Sequence, residues 1–255
     1  MNIIGIIPAR LASSRFPNKP LAKILGIPMI GHVYLRSKMC KELMDVYVAT
    51  CDNEIKAYIE SIGGKAIMTS DKHERASDRT AEALLKIEKE INKKIDIVVM
   101  IQGDEPMVTP EMISAAIAPL IDDDSIKVSN LMADIKTKED HEDPNEVKVV
   151  VDKNNYALYF SREPIPSRKK GIENAHMLKQ VCIIPFRRDF LLEYNKMEQT
   201  PLEIIESVDM NRILENGIKV KMIHVEFNTY SVDTPEDLIF AEEAMKSDLL
   251  INEYI

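Results

Sequence analysis

Short aliphatic runs alternate with helix-length amphipathic segments through the first half of this chain, and that rhythm limits the fold more than any other feature. Residues 3–7, 46–49, 65–68 and 97–101 are short and largely apolar, with Ile97–Ile101 the most apolar of them. Such runs read as strands buried on both faces, as in a parallel sheet. Helical patterns lie between them. Residues 28–43 carry apolar Met29, Ile30, Val33, Leu35 and Met39 and start at a proline; a second pattern, capped by Asn53, stops at Gly63-Gly64; a third starts at about Arg79 and runs to Ile91. The β-α-β-α order implies an α/β fold with a mostly parallel central sheet and right-handed crossovers. The second half is less regular. It holds strand patterns at 126–132, 147–151, 157–160, 181–184 and 220–225, a turn at 152–155 that suits a hairpin, and helices at 187–196, 201–216 and 234–245. One domain over residues 1–255, with an inserted hairpin region at roughly 133–186, is the expected organisation.

The first run passes through Pro8 and Ala9 into a loop carrying Arg10, Arg15 and Lys19 with no acid among them. Ligands in open α/β sheets bind beyond the carboxyl ends of strands. Arginine meets phosphate with a planar fork and lysine with a compact charge, so this loop reads as an anion pocket, most simply for a polyphosphate. The alternative is a solvated basic loop, which the chain's net charge of -9 disfavours. Neither a P-loop nor a dinucleotide fingerprint is present, so side chains rather than a glycine cradle must hold the anion. The acidic balance excludes a nucleic-acid partner. No apolar run approaches the roughly 20 residues that span a bilayer, and the start lacks a secretory pattern. Cys40, Cys51 and Cys182 are isolated, which suits a reducing cytoplasm.

Two aspartates follow apolar residues. Asp104 lies just past residues 97–101, in Gln102-Gly103-Asp104-Glu105-Pro106, and Asp233 follows Val232 in Ser231-Val232-Asp233-Thr234-Pro235-Glu236-Asp237. One or two carboxylates beside phosphate oxygens are the usual Mg²⁺ donors. The bland alternatives are a turn aspartate for Asp104 and a helix cap for Asp233. His32 lies on an apolar helical pattern and reads as packed structure. His73, near Ser77 and Arg79, is the one histidine placed to touch a ligand. Asp122-Asp123-Asp124 is the only D-x-D match, at a helix end, and a glycosyltransferase is a rival reading there. A sugar-1-phosphate nucleotidyltransferase is a second rival and a non-catalytic nucleotide-binding protein a third.

Taken together, IIPARLASSRFPNKPL, IQGDEPMV and VDTPEDL, with GIPMIGHVY, VATCDNE, DPNEVKVVVD, YALYFSREPIP and PLEIIE, resemble the 3-deoxy-manno-octulosonate cytidylyltransferases (CMP-Kdo synthetases) over nearly the whole chain. The resemblance implies a Rossmann-like nucleotidyltransferase domain whose inserted hairpin region serves a homodimer. It implies an enzyme that activates an acidic 3-deoxy-2-ulosonic sugar with CTP and Mg²⁺, releasing pyrophosphate. It puts Arg10, Arg15 and Lys19 on the triphosphate or the sugar carboxylate, Pro8, Ala9 and Gln102 beside the substrates, and Asp104 and Asp233 on the metal. Ser77 and Arg79 fall where the nucleotide is held, and Arg162, Gln180 and Glu206 where the sugar is held. Two stretches depart from the family's pattern. Arg75-Ala76-Ser77-Asp78-Arg79 lacks a loop glycine, so a reshaped loop is expected there. Gln180-Val181-Cys182-Ile183-Ile184-Pro185-Phe186 replaces hydroxyl-reading residues and glycines, so a smaller, more apolar sugar pocket is expected. Asp209-Met210-Asn211-Arg212 also differs from the family's pattern.

Overall fold

The computed structural model describes residues 1–12, 16–169, 171, 175–227 and 230–255. The chain divides into two compact units, residues 1–114 with 229–255 and residues 115–228.

In the first unit, β1 (Ile3–Ala9), β2 (Asp45–Thr50), β3 (Ala66–Met68) and β4 (Ile97–Ile101) stand side by side in the order β4-β1-β2-β3. Every pairing is parallel. Ile4, Ile6, Ile7, Val98, Val99 and Ile101 are completely buried, as strands covered on both faces require. Helices Met29–Lys38, Asn53–Ser61 and Ala76–Ile91 connect them. Because β1 and β4 run parallel from Ile3↔Ile97 to Ile6↔Met100, the loops after Ala9 and after Ile101 leave from the same sheet edge. That edge gathers the site.

Two helix starts differ from expectation, both with consequences for the site. The third helix begins at Ala76 rather than Arg79, with extended Arg75 as its cap residue. Ala76 is not among the residues with positive φ. The helix therefore absorbs the position where a glycine was expected, and its loss imposes no strain. At the second helix Asp52 holds the cap position while Asn53 is the first helical residue, and Asp52 makes no side-chain cap bond. Its carboxylate turns away instead to accept the Leu11 N–H at 2.8 Å, tethering the basic loop near its start.

In the second unit, β5 (Ser129–Asp134), β6 (Lys148–Val151), β7 (Ala157–Ser161), β8 (Leu178–Val181) and β10 (Lys221–Val225) form a mixed sheet in the order β10-β5-β8-β6-β7; β9 (Ile183–Arg187) follows β8 in the chain and is not a strand of this sheet. The β10–β5 pair is parallel and the others antiparallel. The expected hairpin is β6–β7. Asp152 closes its turn by accepting the N–H groups of Asn154 (2.8 Å) and Tyr156 (2.9 Å), and Asn155 takes a left-handed φ of 57°.

The single helix expected over 201–216 is two, Pro201–Glu206 and Met210–Glu215, broken at Ser207 with φ 52°. The break folds Arg212 back onto Glu203, where a buried bidentate pair forms at 2.7 and 2.5 Å. Its hydrogen bonds to Glu203 hold the Arg212 guanidinium above its ordinary value. Asn211 clamps the strand behind it, accepting the Phe160 N–H at 3.3 Å and donating to the Phe160 carbonyl at 3.0 Å. Residues 209–212 therefore serve packing. So do Ile184 and Phe186. Both are buried, and the Phe186 ring stacks with Phe190 at 6.4 Å and Tyr194 at 6.0 Å. The apolar replacements in 180–186 thus fill this unit's core. Asp122-Asp123-Asp124 ends a helix that starts at Pro110; Asp123 caps the Ser125 N–H at 2.8 Å and Asp124 pairs with Arg187 at 3.1 Å. No helix among the described residues is long and apolar enough to cross a membrane.

Candidate active site

A cavity of about 350 Å³ opens in the first unit at the carboxyl edge of β1 and β4. Pro8, Ala9, Arg10, Lys19, Arg79, Gln102, Asp104 and Asp233 all line it, together with His73, Arg75 and Gly103. The pocket read from the basic loop and the two aspartates is therefore one physical space. Gly103 sits in a tight place, since a Cβ on it would lie 3.2 Å from both Ile30 Cδ1 and the Pro8 carbonyl.

Lys19 opens a short 3₁₀ turn after Asn18, which sits in the left-handed region with φ 59°. From that turn its Nζ donates to Asp104 Oδ2 at 2.9 Å, to the Val232 carbonyl at 2.8 Å and to Asp233 Oδ1 at 3.4 Å. Val232 N–H returns a bond to the Asp104 carbonyl at 3.0 Å. The two aspartates, 129 positions apart by number (233 − 104), are thus joined by backbone and by a shared cation. Burial works against the Lys19 charge, but Asp104 and Asp233 outweigh it and raise its pKa above the ordinary value. The ammonium is present throughout the neutral range.

The structure also separates the two readings of Asp233. The helix Pro235–Met245 is capped by Thr234, whose hydroxyl accepts the Asp237 N–H at 3.2 Å, while Asp237 accepts the N–H groups of Asp233 (2.9 Å) and Thr234 (2.8 Å). Capping falls to Thr234 and Asp237, and the Asp233 carboxylate faces Lys19.

Arg79 is 3% exposed, and its Nη1 donates to Thr69 Oγ1 at 2.5 Å. Its buried Nη2 has no partner among the described residues. Leaving a buried charged donor unmet is costly, so an orphan guanidinium nitrogen beside a cavity marks a place for an acceptor. Arg79 sits in the first turn of a 16-residue helix, whose N-terminal N–H groups favour an anion too. Across the cavity mouth His73 bonds through Nε2 to Glu82 Oε2, and Glu82 also accepts the Ser70 N–H at 3.0 Å and pairs with Lys86 at 2.6 Å. Burial would raise Glu82, yet Lys86, Ser70 and His73 together hold it down at about 2. Glu82 escaped the sequence reading. Its only signal there is a four-residue spacing to Lys86, which reads as an ordinary helix-surface pair.

Other expected positions fall elsewhere. Arg15 lies outside the described residues. Ser77 is fully buried and does not line the cavity. Arg162, Gln180 and Glu206 belong to the second unit. There the Glu206 carboxylate accepts Tyr159 OH at 2.6 Å, Ser161 Oγ at 2.9 Å and the Arg162 N–H at 2.7 Å. Burial opposes its charge, but these donors hold Glu206 below its usual value, and burial with the Glu206 contact pushes Tyr159 up to about 12. The Arg162 guanidinium donates to the carbonyls of Glu206 (2.8 Å), Pro144 (2.7 Å) and Ser207 (3.4 Å). Both side chains are committed to local bonds. Gln180 is half-buried on β8.

The donor set fits a hard divalent cation. Among the described residues no group of three or more His, Cys, Asp or Glu side chains forms a metal cage. Two carboxylates already converging on a positive charge match Mg²⁺, which takes its remaining ligands from phosphate and water.

The cytidylyltransferase family model matches residues 4–223. The 3-deoxy-manno-octulosonate cytidylyltransferase of Geobacter metallireducens is 42% identical, covering 93% of this chain and 95% of its own. The protein of the same name from Thermodesulfovibrio yellowstonii is 44% identical, over 97% and 99%. A solved structure of CMP:2-keto-3-deoxy-manno-octonic acid synthetase complexed with CTP superposes with a TM-score of 0.89 at 38% identity, covering 98% of this chain and all of that one.

Proposed function

We propose, given that this chain belongs to the cytidylyltransferase family, that it joins CTP to 3-deoxy-manno-octulosonate, yielding the CMP-sugar and pyrophosphate. The observation that carries this reading is the convergence of Lys19, Asp104 and Asp233 on one point of the cavity. Transfer of a cytidylyl group asks for in-line geometry and charge neutralisation more than for covalent chemistry. The sugar's anomeric hydroxyl attacks the α-phosphorus, the bond to the bridging oxygen breaks, and pyrophosphate leaves while the hydroxyl proton goes to solvent. Asp104 and Asp233 would hold Mg²⁺, which would supply electrostatic stabilisation of the phosphate oxygens. Lys19, Arg10 and Arg15 receive the triphosphate charge. Arg79 and the helix behind it receive the nucleotide. The family resemblance assigns Arg162, Gln180 and Glu206 to the sugar.

Two measurements test this. Pyrophosphate release from CTP and Mg²⁺ is expected with 3-deoxy-manno-octulosonate, and a panel of deoxy, amino and acylated ulosonic acids ranks the alternatives that Gln180 invites. A folded, CTP-binding protein that transfers to none of them is a nucleotide-binding descendant instead. Separately, Arg79→Met is expected to weaken CTP binding by about ten- to a hundredfold, the worth of one hydrogen bond to a charged group. Calorimetric titration reads this, and unchanged affinity removes Arg79 from the nucleotide site.

A further inference from the structure

Asp233 follows Val232, which is completely buried in an apolar cluster with Ile24, Met29, Ala241, Met245 and Ile251. That cluster ties together the segment just after Lys19, the helix start at Met29 and the C-terminal tail. Two buried polar anchors lock the tail onto it. Arg36 is fully buried; its Nε donates to the Val108 carbonyl at 2.9 Å and its Nη1 to Asp248 Oδ2 at 2.7 Å, with Nη2 on the same oxygen. Its guanidinium also lies 5.8 Å from the centre of the Tyr254 ring. His32, equally buried, lies 2.8 Å from the Ile24 carbonyl through Nε2 and 2.8 Å from Tyr254 OH through Nδ1. A carbonyl only accepts, so Nε2 carries the proton and Nδ1 accepts from the tyrosine. One imidazole thereby bridges the tail and the segment that carries Lys19.

None of His32, Arg36, Asp248 and Tyr254 lines the cavity. Apolar packing alone tolerates slippage, whereas satisfied buried polar networks rigidify one arrangement. A metal-holding carboxylate needs to be placed within about 0.5 Å, by groups whose own positions are locked. We propose that the C-terminal tail, latched by Asp248 on Arg36 and by Tyr254 on His32, is a positioning clamp that sets Asp233 against Asp104 for the divalent cation. This rests on Asp233 being a metal-holding residue, as read above. The four latch residues act through Val232 and are positioning residues.

The test compares the full chain with Tyr254→Phe, Asp248→Asn and a chain ending at Ser247. Mn²⁺ affinity is read by electron paramagnetic resonance with CTP bound, CTP affinity by calorimetry in chelator, and folding by thermal melting. The truncation is expected to weaken Mn²⁺ binding about 10- to 100-fold, the usual cost of losing the shell behind a metal ligand, and Tyr254→Phe by less. CTP affinity without metal stays where it was. Unchanged Mn²⁺ affinity in folded variants overturns the clamp, and so does a fall of metal and CTP affinity by the same factor. Should the truncated chain not fold, Tyr254→Phe, which removes a single hydroxyl, decides by the same two affinities. No sugar enters these measurements. A wild-type protein that binds Mn²⁺ and CTP but transfers to no ulosonic acid therefore overturns the proposed reaction and leaves the clamp standing.

Discussion

Asp104→Asn and Asp233→Asn each lower Mg²⁺-dependent pyrophosphate release by on the order of a thousandfold, a loss of about 4 kcal/mol of transition-state stabilisation. The amide keeps the size and planarity of the carboxylate but removes the charge proposed to recruit a divalent cation. Neither side chain is deeply buried, with 22% of each exposed, so the replacement leaves packing intact and lowers the melting temperature only by the lost charge's share of the Lys19 pairing. The two variants should resemble each other, because both carboxylates meet the same Lys19 ammonium. Their double variant should then cost little beyond either single one, the behaviour of residues that act as a unit. Turnover assayed across Mg²⁺ concentration checks this. A parental rate in either variant would remove that aspartate from the chemistry, and two independent, additive losses would separate the pair.

The site was legible where chemistry sits at the end of an apolar run. β1 and β4 announce themselves by composition, and the residues after them, Arg10 to Lys19 and Gln102 to Asp104, follow from the rule that ligands gather at carboxyl ends of parallel strands. Asp233 was ambiguous for a physical reason. Ser231 to Asp237 is good helix-start sequence whichever residue caps, and only the observed bonds of Thr234 and Asp237 free Asp233 for Lys19. Arg162 and Glu206 lie in stretches that resemble sugar-binding ones, and their atoms also bond each other and nearby carbonyls. Sequence shows which residues are available and says nothing of how many of their bonds are already taken. Contacts such as Arg36 with Asp248, 212 positions apart, have no local signature at all. The break at Ser207 was hidden likewise, since the pull of Glu203 on Arg212 overrides a helical pattern that runs through it.

Lys19→Met has two opposite consequences, and both follow from where its ammonium lies. At 2.9 Å from one carboxylate and 3.4 Å from the other, Nζ stands where the charge of a divalent cation would be felt most strongly. Without it, Asp104 and Asp233 face each other uncompensated, and a cation added in the absence of CTP meets no competitor. Mn²⁺ should therefore bind the nucleotide-free variant more tightly than the parent, by about tenfold for a change of roughly 1.4 kcal/mol. Cytidylyl transfer should fall by about a hundredfold or more in the same protein, because the triphosphate loses a cation that stabilises developing charge. The pH dependence has a definite sign. Burial lowers the lysine pKa, but the two aspartates raise it further, so the folded value lies above the unfolded one. The stability this contributes is complete below the unfolded lysine value and disappears only as pH rises through the folded one. Parent and variant should differ in melting temperature by a constant amount at neutral pH, and the gap should close in strongly alkaline solution. Equal Mn²⁺ affinity in the two nucleotide-free proteins would mean that the ammonium does not compete for the aspartates. Lys19 would then be a structural tie between Asp104 and Val232, and the metal would enter without displacing it.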